Sequence, residues 1–178
     1  MSYHSDFSPP DGATTLLFSE HQRFRQWWIW LIILAAATPV FYVVWQQMSG
    51  VLPEGGQPRS TTELLLSLLP AALMLLLLVT MRLDTQIRED GVYVRFFPFA
   101  LKLKKYGWED ITKAYVRRYA PLKEYGGWGI RFGIKGKALN VSGNMGLQLE
   151  LNKGKNLLIG TRKPEEIERV LAALGQLK

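Results

Sequence analysis

The sequence predicts an α+β membrane protein, with an N-terminal two-helix transmembrane hairpin followed by a mostly antiparallel β domain capped by one C-terminal α-helix. Three observations lead there. Two long stretches, 27–45 and 64–81, are apolar and free of charge. From Arg82 onward short β-rich runs alternate with Gly and acidic or amide turns. The last run, opened by Pro164, switches to helical spacing.

The residues before the first apolar stretch, 1–26, read as a cytoplasmic tail. Residues 1–20 show no strong periodicity and are expected to be partly disordered, with Phe7, Leu16 and Phe18 available to touch an interface. The stretch 27–45 would span roughly 28 Å as a helix, close to the ~30 Å hydrocarbon layer. Trp27, Trp28 and Trp30 at one end, with Tyr42 and Trp45 at the other, resemble interfacial aromatic belts. Ala35-Ala36-Ala37 imitates a signal-peptide cleavage site, but the apolar run continues to Trp45 and acids precede it, which favours an uncleaved anchor. The second stretch, 64–81, carries Pro70 in its first half, where a bend is expected. Between them, 46–63 is a Gly/Pro-rich connector, expected outside the cell. Arg23 and Arg25 before the first span, with Arg82 and Arg88 after the second, place both termini in the cytoplasm of a multi-pass inner (cell) membrane protein by the positive-inside rule.

Residues 82–178 then form the cytoplasmic β domain. Leu83–Arg88 and Val92–Phe97 flank Glu89-Asp90-Gly91, a hairpin turn of the Asp-Gly kind. The run 101–106 alternates Leu with Lys, giving one apolar and one basic face. Trp108 to Ile111 makes a corner before a strand over 112–119. Further strands are expected over 129–134, 138–141, 147–151 and 157–159, with Asn152-Lys153-Gly154-Lys155 as a second hairpin turn. Ile167, Val170, Leu171 and Leu174 recur at i, i+3, i+4 and i+7, one apolar face of a helix that plugs the open end of a small bent sheet.

That order of elements, together with the runs Leu83-Asp84-Thr85-Gln86-Ile87, Tyr125 to Arg131, Asn140 to Asn144 and Leu158 to Thr161, resembles a family of uncharacterised bacterial two-helix membrane proteins with a pleckstrin-homology-like (PH-like) cytoplasmic domain. The resemblance implies a PH-like split barrel and brings no activity with it. The phosphoinositide-binding kind of PH domain carries a Lys/Arg cluster across its first hairpin. Here that hairpin holds Glu89 and Asp90 at its tip.

Composition narrows the chemistry. The chain has no cysteine, so disulfides and thiolate chemistry are excluded. Its two histidines, His4 and His21, precede the first apolar stretch, which leaves no histidine chemistry for the later domain. Acids are scattered, and no nucleophile–base pair, phosphate loop or metal spacing accompanies them. No enzyme, cofactor or metal is expected. The net charge of +7 is uneven: residues 82–178 hold 19 Lys/Arg against 10 Asp/Glu, and residues 1–81 hold 3 against 5.

Two surfaces qualify as binding sites. The connection from Arg117 to Arg131 concentrates Arg117, Arg118, Tyr119, Glu124, Tyr125, Trp128 and Arg131 around flexible glycines. Arginine and aromatic side chains offer several donors and large contact area, which suits a protein partner. The same residues also read structurally, as a glycine turn, a Trp plug and a local ion pair. Lys102, Lys104, Lys105 and Lys113 form a basic face that suits anionic lipid headgroups or merely keeps an edge strand solvated. Asn140 to Gly146 contains a glycosylation sequon, better read as a polar turn on the cytoplasmic side. The sequence therefore points to a membrane-tethered, non-enzymatic binding module at the cytoplasmic membrane face, in contact with membrane lipids and a protein partner and not with nucleic acid. The alternative is a small membrane-bound enzyme or an accessory subunit of a membrane enzyme complex.

Overall fold

The computed structural model describes residues 14–24, 27–50, 60–133, 136–152, 154 and 156–177, without the side chains of 27–29, 32, 36, 61, 64 and 65. The expectations for the tail up to residue 13 and at Arg25, for residues 51–59 of the connector, for residue 134 and for Lys153 and Lys155 fall outside the described residues. The chain divides into two compact units, residues 23–81 and residues 1–22 with 82–178.

The smaller unit consists of α1 (Trp27–Ser49) and α2 (Thr61–Thr80). α2 opens on a capping box: Ser60 Oγ accepts from the Glu63 backbone N–H, and the Glu63 carboxylate accepts from Ser60 N–H, both at 3.2 Å. Two corrections to the sequence reading arise here. Both helices extend past the apolar runs, α1 to Ser49 and α2 back to Thr61. More important, among the described residues no helix is long and apolar enough to cross a membrane. The expected transmembrane hairpin, the multi-pass membrane location and the sidedness of the termini are corrected accordingly. Phe41, Trp45, Leu66, Leu76 and Val79 are each more than half exposed, an apolar surface of the kind that is normally covered.

The larger unit is two sheets and one main helix. Sheet one runs β1 (Leu16–Arg23), β2 (Arg82–Arg88), β3 (Gly91–Phe97), β4 (Lys104–Gly107) in that spatial order. β2 and β3 form the expected hairpin, in a register that sets Asp84 opposite Arg95. At its turn Gly91 takes φ +146° against the Tyr106 carbonyl, a position closed to a side chain. β4 starts at Lys104, so Leu101 and Lys102 lie before it and Leu101 is exposed. The expected apolar face over 101–106 does not form.

Sheet two holds β5 (Ile111–Arg118), β6 (Gly129–Gly133), β7 (Gly136–Asn140), β8 (Met145–Leu151) and β9 (Asn156–Gly160), in the order β5-β8-β9-β7-β6. A 3₁₀ turn over Trp108–Asp110 leads into β5, and a short helix, α3 (Pro121–Tyr125), joins β5 to β6. The β8–β9 hairpin inserts between β5 and β7, so β9 runs parallel to β7, with Lys137 opposite Leu157. Strand periodicity cannot reveal this, because it gives spacing along a strand and not the neighbour across the sheet.

Alternate residues fill the core: Leu83, Ile87, Val92, Val94 and Phe96 from sheet one, and Leu147, Leu149, Leu157 and Ile159 from sheet two, are all buried. α4 (Pro164–Ala173) buries Ile167 and Leu171 completely. Val170 and Leu174, expected on the same face, are only half-buried.

β1 comes from a stretch with no readable periodicity, and it is held by polar groups. The Thr15 carbonyl accepts from Glu89 N–H at 3.4 Å, and His21 Nδ1 lies 2.8 Å from Asp84 Oδ1, so β1 runs opposite to β2. The Glu20 carboxylate accepts from Thr161 Oγ1 at 2.6 Å and from Arg162 N–H at 2.9 Å, and Gln22 Nε2 donates to the Gly160 carbonyl at 2.7 Å. One strand of sheet one is therefore bonded to the end of β9 in sheet two.

Candidate binding surface around the β5–β6 connection

α3 is set by its ends. Pro121 occupies a first-turn position, where its missing N–H costs nothing. Glu124 Oε1 reaches back to accept from Ala120 N–H at 2.9 Å. Gly126 closes the helix at φ +71°, and Gly127 follows at φ +127°.

This turn folds the candidate residues into two groups. The inner group is structural. Arg117 donates from Nη2 to Glu124 Oε2 at 2.9 Å and from Nε to Gln148 Oε1 at 3.0 Å, and it also contacts the Tyr125 hydroxyl. Burial would lower the Arg117 pKa, but the hydrogen bond and charge of Glu124 outweigh it and hold the value above the ordinary one. Tyr119 and Tyr125 are buried edge to face, ring centroids 6.2 Å apart. Tyr119 accepts from Asn140 Nδ2 at 3.0 Å, and Asn140 Oδ1 accepts from Gly129 N–H at 2.9 Å. Burial raises both tyrosine pKa values, so they stay protonated at physiological pH.

The outer group faces solvent. Arg118 is exposed and lies 3.0–3.1 Å from the Asn144 side-chain oxygen in its better amide orientation. Trp128 donates from Nε1 to the Gly143 carbonyl at 3.2 Å, tying this connection to the 141–144 turn. Arg131 lies exposed along Gly127, its Nε 2.9 Å from the Trp128 carbonyl. Among the described residues, neither Arg118 nor Arg131 meets a carboxylate. Sequence reasoning missed Phe132, which follows Arg131 on β6 and is 78% exposed. No sequence signal marks Phe132, because its exposure follows from the edge position of β6, which the strand pattern does not show.

The lysines of the second surface are not brought together into one free face. Lys105 pairs with Asp90 at 2.7 Å, which holds the Asp90 pKa down to about 2. Lys113 lies 3.9 Å from Glu150. Lys104 sits over the Tyr106 ring at 5.1 Å, and Lys102 is exposed in the segment before β4. Among the described residues no cluster of His, Asp or Glu could hold a metal ion.

Compared with protein-family models, curated proteins and solved structures, the chain matches none.

Proposed function

We propose that the larger unit is a non-enzymatic binding module that takes up an extended acidic protein segment along the outer edge of β6. The observation that carries this reading is the position of β6: among the described residues it hydrogen-bonds to β7 alone in its sheet and leaves Arg131 and Phe132 exposed, with α3 packed only beside its Gly133 end. An open edge offers main-chain donors and acceptors to an added strand, and alternate side chains supply selectivity. Among the described residues neither Arg118 nor Arg131 pairs with a carboxylate, which favours an acidic segment. The lysine face is the weaker alternative, because Lys105 and Lys113 already have carboxylate partners.

Selection of displayed peptides against the full chain tests the proposal. Enriched peptides should be acidic, and when bound they should slow hydrogen exchange at the amides of residues 130–133. Arg131→Glu should weaken them about tenfold, about 1.4 kcal/mol, with an unchanged melting temperature. Peptides that bind while these amides exchange at the free rate would refute it.

A further inference from the structure

A cavity of about 500 Å³ opens between β4 and the hairpin ends of sheet two, within the size range of small-molecule sites. Lys104, Tyr106, Phe132, Lys137, Leu151 and Leu157 are among the residues that line it. Each ammonium sits near an aromatic ring: Lys104 Nζ is 5.1 Å from the Tyr106 centroid, and Lys137 Nζ is 5.5 Å from that of Phe132. Among the described residues no carboxylate pairs with either lysine. Burial lowers the Lys137 pKa, and the charge of Lys104 lowers it further. Two like charges thus line one hollow with no carboxylate beside them among the described residues, an arrangement that costs free energy until an anion enters.

We propose that this cavity binds a small organic phosphate, its phosphoryl group between Lys104 and Lys137 and its apolar part against Phe132, Leu151 and Leu157. A phosphate monoester carries close to two negative charges at neutral pH, which matches two ammonium groups better than a monocarboxylate does. The aromatic and leucine lining gives the ester's organic part somewhere to lose water. The site shares Phe132 with the proposed peptide edge but takes its charge from Lys104 and Lys137, not from Arg118 and Arg131, so the arginine and lysine variants tell the two apart.

Calorimetric titration of the full chain with phenyl phosphate, inorganic phosphate and benzoate tests it. Phenyl phosphate should bind saturably with Kd below about 1 mM and at least about tenfold more tightly than the other two. Lys137→Gln and Lys104→Gln should each weaken it about tenfold with melting temperature unchanged. Lys102→Gln, an exposed lysine outside the cavity, and Arg131→Gln should leave it alone. In the wild type, the Lys137 side chain followed by NMR should titrate at higher pH once phenyl phosphate is bound. Absence of saturable binding, or binding that Lys137→Gln does not weaken, overturns the proposal. Equal loss in Lys102→Gln overturns it too, by showing only general attraction to a basic surface. Inorganic phosphate binding as tightly as phenyl phosphate removes the apolar half of the site.

Discussion

Asp84 occupies a position of β2 that strand alternation points away from the core, between buried Leu83 and Thr85, and is nonetheless only 1% exposed. It is covered by its own partners: His21 from β1, Arg82, and Arg95 across the hairpin, which donates from Nε at 2.8 Å. Burial would raise its pKa, but hydrogen bonds from His21 and Arg95 and the charges of Arg82 and Arg95 win, and the value falls below the ordinary one. A carboxyl with a lowered folded pKa stabilises fully above its unfolded value, and that contribution fades as pH falls through the folded value. Asp84→Asn should therefore cost about 1–3 kcal/mol at pH 7, partly exposed Arg95 and Arg82 keeping the figure moderate. The gap between wild type and variant should shrink as pH drops well below about 4. Thermal melts at neutral and strongly acidic pH measure this. A gap that is independent of pH would mean the carboxylate's charge is irrelevant to the fold.

At the scale of elements, α4 shows how a periodic pattern becomes packing. Ile167 and Leu171, one turn apart, point at the sheets and are completely buried, while Glu165 and Glu166 sit in the first turn, where the helix dipole favours negative charge. Leu171→Asp would bury an unpaired charge and should destabilise by about 4 kcal/mol or more. Leu174→Asp, half-buried at the helix end, should cost far less. Denaturant unfolding of both variants checks the contrast, and equal, small losses would show that α4 does not close the core. The helix was legible because its stripe is local. β6 was legible as a strand, yet its place on the sheet edge was not, since the edge is created when the β8–β9 hairpin inserts on the far side of β7.

The larger unit as a whole is joined by β1. Glu20, 6% exposed, gives both carboxylate oxygens to residues just after β9, while β1 itself extends sheet one. Glu20→Ala would leave the Thr161 hydroxyl and Arg162 N–H without that acceptor and should destabilise by about 2–3 kcal/mol. Leu16→Ala, on the same strand but half exposed, should fall within about 0.5 kcal/mol of wild type. If the two variants unfold at the same denaturant concentration, β1 is not what joins the sheets.

By itself the sequence determined the β-rich character of residues 82–178, the Asp-Gly hairpin, the strand positions to within a few residues and the inward face of α4. Each of these is written in spacing along a short stretch, where period 2 or 3.6 decides which side chains share a face. It also marked out the β5–β6 connection by its density of arginine and aromatic residues. Its reading of two membrane spans was overturned: among the described residues no helix is long and apolar enough to cross a membrane. Only the tertiary structure decided that the N-terminal stretch is a strand, that β7 and β9 run parallel, and that Arg117, Tyr119, Glu124 and Tyr125 are internal braces while Arg118, Arg131 and Phe132 face outward. These follow from contacts between residues up to 142 positions apart, and burial of a polar group depends on which distant partner arrives to satisfy it.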